Sequence, residues 1–195
     1  TSEEIRRLRL CNVDLTETFL PLNTFEEVLE HLKNKCILNL DRSIKILDDV
    51  MKIVNKHNMA DQVLLKSDPS DASLKMVETF APKVDYMPIF MEEDVASEKI
   101  ENMNINYIGA ELVFKSESSS IAQDSYIDMM HKKGRILWGN SIVYSSRVPL
   151  AAGHNDDISL TGDPEDGWGW LAKKGFDIIQ TDWTHHCVNY LRNRY

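Results

Sequence analysis

Polar residues that could bind a phosphate ester follow several short apolar runs in this sequence. Asp41 offers a hard oxygen ligand of the kind that Mg²⁺ and Ca²⁺ prefer. Lys66 and Lys115 offer positive charges that complement a phosphate. Trp138 offers an apolar wall for the organic part of a substrate, and Asn140 adds an amide. If these side chains converge, they predict a metal-assisted phosphate-ester site.

A purely structural role is the alternative for residues in such positions, because polar side chains at strand ends also cap helices and solvate loops. Asp182 follows the last apolar run and can accept hydrogen bonds from backbone N–H groups at a strand-to-helix turn, or it can bind a metal. His154 lies in a Gly-His-Asn-Asp-Asp loop, where it is either a solvated side chain or a catalytic residue or ligand. Residue types and spacing leave both alternatives open.

Alternating apolar and amphipathic stretches predict the elements that position these residues. Apolar residues recur at helical spacing between the apolar runs, as in residues 44–54. The alternation of strands with helices predicts βαβ units and a parallel sheet, whose sites lie at the carboxyl ends of the strands. Six runs have the composition of strands that are buried on both faces, namely residues 37–40, 63–65, 84–90, 107–114, 135–138 and 178–179.

Two architectures contain such a sheet, an open doubly wound sheet and a (β/α)8 barrel. Residues 1–35 are predicted to supply no strand. They supply a helix over residues 3–10 and a second helix capped by Thr24, with Glu27 as its capping-box partner. A complete barrel usually needs about 250 residues, so a barrel made from these 195 residues lacks roughly two strands. No repeat or linker divides the chain, which predicts a single domain.

Composition excludes several classes of protein. The net charge of −9 argues against a nucleic-acid partner or an anionic membrane, since phosphate binding needs clustered Lys and Arg. No run of 18 apolar residues is present, so no transmembrane segment is expected. The first ten residues lack the apolar core of a signal peptide, and the cellular compartment stays open. Three cysteines without a Cys-x-x-Cys spacing argue against a disulfide framework or a zinc site.

Several motifs resemble the glycerophosphodiester phosphodiesterase family, in order and over nearly the whole chain. Asn39-Leu40-Asp41 is similar to the Asn-x-Glu motif of the family's third strand. Four further segments resemble the family's early helix, fourth, seventh and eighth strands, namely residues 22–29, 61–67, 134–140 and 175–182. Residues 153–157 and 168–171 resemble a variant branch seen in bacterial members.

The resemblance implies a (β/α)8 TIM barrel that uses a divalent metal, Mg²⁺ or Ca²⁺, to hydrolyse glycerophosphodiesters. The products are glycerol phosphate and an alcohol, in phospholipid and glycerol metabolism. It further implies that Asp41 is a metal ligand, that Lys66 contacts the phosphate and that Trp138 contacts the glycerol or alcohol group. Asn140 and Lys115 complete the expected substrate-binding set. Asp41 is one methylene shorter than the family's Glu, and Ser43 replaces a phosphate-binding Lys for which Lys66 could compensate.

The family's His-Arg-Gly motif and its His-Asp pair, which carry the catalytic histidines, are absent from this sequence. The resemblance therefore implies that the chain covers strands three to eight, as the C-terminal three-quarters of the barrel, without the first two βα units. We expect the catalytic histidines upstream of Thr1 and an inactive isolated chain. The open flanks of a six-stranded piece predict either a bound N-terminal fragment of the same protein or self-association.

Two other hypotheses remain. A non-catalytic barrel-like domain that binds a phosphorylated ligand or a partner chain is favoured if 195 residues are the whole gene product. An unrelated α/β hydrolase is disfavoured, because the sequence has no Gly-x-Ser-x-Gly elbow.

Overall fold

A computed structural model describes residues 1–145 and 148–194. Within these residues, eight strands lie in two sheets. The two-stranded sheet is an antiparallel hairpin of β1 and β2, and the six-stranded sheet is parallel throughout. The strands are β1 (Arg9–Cys11), β2 (Glu17–Pro21), β3 (Leu38–Leu40), β4 (Val63–Ser67), β5 (Asp85–Met91), β6 (Gly109–Val113), β7 (Ile136–Asn140) and β8 (Ile178–Gln180).

The six parallel strands lie side by side in their sequence order, from β3 to β8, and the sheet curls as part of a barrel. A doubly wound sheet would reverse its strand order at a switch point, so this alternative is excluded. The prediction of an incomplete (β/α)8 barrel with strands corresponding to three to eight is confirmed. Within the described residues, β3 and β8 each pair with one neighbour only and form the two edges.

Helices connect the strands and cover the outer face of the sheet. They are α1 (Ser2–Arg7), α2 (Phe25–Leu32), α3 (Leu47–Lys56), α4 (Asp71–Phe80), α5 (Ser97–Glu101), α6 (Asp124–Lys132), α7 (Asp156–Thr161), α8 (Trp168–Lys174) and α9 (Thr184–Arg194). Among the described residues, no helix combines the length and apolar character needed to cross a bilayer.

Local sequence explains where these helices begin and end. The predicted capping box is present at α2, where Glu27 N donates to Thr24 Oγ1 (3.2 Å) and Thr24 N donates to Glu27 Oε2 (2.7 Å). Helix α4 ends at Phe80, two residues before Pro82, as the proline predicts. Helix α8 ends at Lys174 and is capped by Gly175, whose φ of +103° lies in the left-handed region that glycine adopts without strain.

The hydrophobic core lies between the sheet and the helices. Leu65, Tyr86, Phe90, Leu112 and Leu137 point outward from their strands into this core and are fully buried. Because successive side chains of a strand point to opposite faces, the residues between them face the concave side of the sheet. This alternation places Lys66, Glu111, Trp138 and Asn140 on the concave side.

The prediction that residues 1–35 supply no strand is wrong. Helix α1 ends at Arg7, and Leu8 has extended backbone angles (φ −68°, ψ 151°). The chain then turns back through Leu15, with φ +67°, and Thr18 Oγ1 donates to Leu10 O (2.7 Å). Most side chains of the hairpin are exposed. A half-buried strand is predicted from alternating apolar and polar residues, and a hairpin that buries neither face does not require this alternation.

The stretch from residue 141 to residue 164 shows no clear helical or strand periodicity in the sequence, and it is partly helical in the structure. It contains α7, which begins after Asn155, whose Oδ1 accepts a hydrogen bond from Ile158 N (3.0 Å). Residues 146 and 147 of this stretch lie outside the described part of the chain.

Candidate functional site

Polar side chains from four strands meet on the concave face of the sheet. Barrel interiors are usually filled by branched apolar residues, so a polar group in this place is unusual. We name it the inner cluster, and it consists of Lys66 on β4, Glu111 on β6, Trp138 and Asn140 on β7, and Gln180 on β8.

An ion pair lies at the centre of the inner cluster. Lys66 Nζ is 2.6 Å from Glu111 Oε2, and the two side chains are only 4% and 10% exposed. The contact is electrostatic, since Glu111 Oε2 has no partner in directional hydrogen-bond geometry. Strands β4 and β6 are separated by β5, a distance of about 10 Å in a flat sheet. Two long side chains bridge this distance on the concave side of the curled sheet.

Strand β7 supplies the other walls of the inner cluster. Asn140 Nδ2 donates to Glu111 Oε1 (2.8 Å), so the amide orients the carboxylate. The Lys66 ammonium lies 3.7 Å from the centre of the Trp138 ring, in a cation–π contact. Trp138 Nε1 donates to Gln180 Oε1 (3.1 Å) on β8. Three of the predicted substrate-binding residues, Lys66, Trp138 and Asn140, therefore come together.

Glu111 was not predicted, although it is the residue that joins the others. It stands within the run Ala110-Glu111-Leu112-Val113, whose other residues are apolar. The run is predicted as a buried strand, and its one charged residue was not considered as a site residue. A carboxylate in the middle of a buried strand needs a partner, and this rule could have identified the position from sequence.

Asp41 lies apart from the inner cluster. It follows β3 at the open edge, its side chain is 65% exposed, and its Oδ2 is 3.6 Å from Nε of Arg42. Arg42 itself has a positive φ of +53°, an uncommon conformation for a residue other than glycine. Ser43 is buried and donates through Oγ to Leu40 O (2.8 Å), so this hydroxyl closes the strand end.

Lys115 lies in the loop after β6 with an exposed side chain, and its backbone N donates to Glu92 Oε1 (3.0 Å). Asp182 is also exposed, in the loop after β8, and its backbone N donates to Asp156 Oδ2 (2.9 Å). The structural role expected of Asp182 is performed by Asp156 instead.

Asp156 is a buried carboxylate, 2% exposed, that holds the segment after β8. Its Oδ1 accepts from Trp168 Nε1 (2.8 Å) and from Thr181 Oγ1 (2.7 Å), besides the bond from Asp182 N. Burial and then the charge of Asp156 raise the pKa of the Cys187 thiol to about 11. Sequence analysis did not predict this centre, because its partners are distant along the chain.

His154 is held between three elements and is not a solvated loop residue. Its Nε2 lies 2.9 Å from Glu117 Oε1, and its Nδ1 lies 2.6 Å from the carbonyl oxygen of Asp166. The imidazole stacks on the Trp170 ring, with centroids 3.8 Å apart and planes at 6°. His154 therefore connects the loop after β7 to α8 through its ring contact with Trp170.

A divalent metal does not fit the described residues by themselves. Within residues 1–145 and 148–194, no three His, Cys, Asp or Glu side chains come together in a group that could hold a metal ion. Glu111 is paired with Lys66 and Asn140, and Asp41 is a single carboxylate at the edge. The metal at Asp41 stays a prediction, and its other ligands would have to come from outside these residues.

The fold and the inner cluster define an incomplete parallel α/β barrel with a polar interior. Residues 86–191 match a family model described as a domain of unknown function, DUF4996. Because the match covers more than half of the chain, the chain belongs to this family. No curated protein sequence matches the chain significantly.

Solved structures with the same fold are glycerophosphodiester phosphodiesterases by name. A glycerophosphoryl diester phosphodiesterase from Parabacteroides distasonis ATCC 8503 has a TM-score of 0.71 and 16% identity over 99% of this chain and 63% of its own. A candidate glycerophosphodiester phosphodiesterase from Galdieria sulphuraria has a TM-score of 0.68 and 16% identity, over 99% of this chain and 70% of its own. A second P. distasonis glycerophosphodiester phosphodiesterase has a TM-score of 0.61 and 15% identity, over 100% and 71%. This chain thus spans 63% of the first structure, and likeness at these identities shows the fold alone.

Proposed function

We propose that this chain is part of a phosphodiester hydrolase that cleaves glycerophosphodiesters to glycerol phosphate and an alcohol, with a divalent metal. The observation that carries the proposal is the inner cluster. Its polar groups occupy the concave face of a barrel fold that solved glycerophosphodiester phosphodiesterases share. Fold alone does not determine function, so the proposal depends on these side chains.

Trp138 and Asn140 would contact the glycerol or alcohol part of the substrate. Asn140 uses its amide nitrogen on Glu111, which leaves its carbonyl oxygen to accept from a hydroxyl group. Lys115 and Asp41 are exposed in the loops after their strands, where a phosphate or a metal can reach them. A phosphate contact by Lys66 is the least supported part, because its ammonium already faces Glu111.

On the concave face, proton transfer by histidine would need groups that the described residues do not supply there. None of the residues that the strand alternation places on the concave face is a histidine. We propose that the catalytic histidines belong to a segment that pairs with the edge at β3 and completes the barrel. Ile37 (61% exposed), directly before β3, is an apolar side chain that such a segment would cover.

Hydrolysis of glycerophosphoglycerol, followed by ³¹P NMR with added Mg²⁺ or Ca²⁺, tests this proposal. We expect no turnover by the 1–195 chain. We expect turnover when the chain is extended by the sequence encoded upstream of Thr1. Turnover by the 1–195 chain alone would show that the histidines are not needed, and an inactive extended protein would contradict the enzyme assignment.

The second candidate is a non-catalytic domain that binds a phosphorylated ligand or a partner chain. It is favoured by the neutral, internally paired inner cluster and by the lack of a metal-binding group in the described residues. A His-Arg-Gly motif in the upstream coding sequence would support the enzyme, and its absence would support the binding domain.

A further inference from the structure

The Lys66 ammonium is enclosed by two groups that attract organic cations. Its Nζ lies 2.6 Å from Glu111 Oε2 and 3.7 Å from the centre of the Trp138 ring. Proteins bind alkylated ammonium groups with aromatic faces, because the electron-rich face of the ring attracts positive charge. Here a carboxylate stands beside the ring and adds a full negative charge.

Neither of these groups depends on Lys66 for its position. The second oxygen of Glu111 accepts a hydrogen bond from Asn140 Nδ2 (2.8 Å). The indole of Trp138 is tied to Gln180 on the neighbouring strand (3.1 Å). If the lysine side chain were removed, the carboxylate and the ring would still face the same space.

We propose that Glu111 and Trp138 form a binding site for an organic ammonium group, and that the tethered ammonium of Lys66 fills this site in the chain. The lysine thus occupies the place that a free cation would take. Replacing Lys66 by alanine removes three carbons and the nitrogen, which together have the size and charge of n-propylammonium.

A consequence for substrates rests on the proposed function. Since the ammonium site is filled, a phosphodiester whose alcohol is choline or ethanolamine finds no cation site beside Trp138. Uncharged alcohol groups such as glycerol are not affected. The binding of small cations can be measured without any turnover, so its failure is distinct from a failure of the proposed hydrolase.

The test is chemical rescue of the Lys66→Ala variant. We expect n-propylammonium to raise the melting temperature of this variant and to bind it at least about tenfold more tightly than the unsubstituted chain. Propan-1-ol has the same length without the charge and should not bind. The Lys66→Ala/Glu111→Gln double variant lacks the carboxylate and should lose the binding. Equal binding of the amine and the alcohol, or unchanged binding by the double variant, would overturn the proposal.

A second measurement needs no change at Lys66 and covers the case in which Lys66→Ala does not fold. In the unsubstituted chain, the ring of Trp138 should shift the ε-proton resonances of Lys66 upfield, away from those of the exposed Lys45. The Trp138→Leu variant should return them to the Lys45 position. Lys66 ε-protons that already resonate with Lys45 in the unsubstituted chain would refute the enclosed ammonium.

Discussion

Replacing Glu111 by glutamine tests whether the inner cluster is built on a buried ion pair. Glutamine keeps the size of the side chain and an oxygen for Asn140, but it leaves the Lys66 ammonium without its counter-charge. The two side chains are 4% and 10% exposed, so water screens the charges weakly. Removing one partner of a buried pair costs about 3–5 kcal/mol, and we expect Glu111→Gln to lower the free energy of unfolding by that amount.

Matched variants distinguish the loss of the Lys66–Glu111 ion pair from other effects of these substitutions on stability. Lys66→Met should cost a similar amount, because it leaves the Glu111 carboxylate unpaired. The double variant Lys66→Met/Glu111→Gln should cost less than either single change, since a neutral pair of similar volume is tolerated in a core. As a control, Lys52→Met breaks an exposed pair with Asp48 and should leave the urea midpoint nearly unchanged, because water screens exposed charges.

Urea unfolding followed by tryptophan fluorescence measures these free energies. We expect strong coupling between the two substitutions in the double-mutant cycle. If both single variants lose less than about 1 kcal/mol and their effects add, then the pair is solvated in solution and the inner cluster is not the closed arrangement described here.

Three further predictions concern other parts of the chain. Cys187 should be alkylated slowly below pH 11, because burial and the charge of Asp156 raise the pKa of its thiol to about 11. The exposed Cys11 and Cys36 should be modified earlier, as measured by mass spectrometry. Equal alkylation rates of the three cysteines at pH 8 would contradict this prediction. Asp156→Asn should speed the alkylation of Cys187, since it removes the charge that disfavours the thiolate, and an unchanged rate would place the effect in burial alone. Thr24→Ala should lower the free energy of unfolding by about 1 kcal/mol through loss of the α2 cap, and a change within error in urea unfolding would show that the cap contributes nothing.

The parallel sheet could be predicted because its strands are continuous apolar runs. Such runs are typical of strands buried on both faces. The right-handed βαβ connection is common to a doubly wound sheet and a barrel, so the order of strands needed the structure. The hairpin at residues 9–21 could not be predicted in this way, because its side chains are mostly exposed and carry no burial pattern.

The convergence of Lys66, Trp138 and Asn140 could be predicted, because the carboxyl ends of all strands of a barrel meet at one face. Their roles in substrate binding stay predictions. Glu111 could have been noticed as a charge within a buried strand, but its pairing with Lys66 could not be predicted, because the curl of the sheet brings β4 and β6 together. His154 lies between Glu117 and the carbonyl oxygen of Asp166, which are distant in sequence, so its role as a fastening residue needed the structure.

The central claim is that the concave face around Trp138 binds a glycerophosphodiester. A titration of the ¹⁵N-labelled chain with glycerophosphoglycerol, followed by NMR, tests it most directly. We expect the indole N–H resonance of Trp138 to shift and that of the buried Trp168 to stay in place. We also expect Trp138→Leu to weaken binding, while Trp183→Leu at an exposed tryptophan does not. Equal binding by both variants, or a titration that leaves the Trp138 resonance unmoved, would contradict the account.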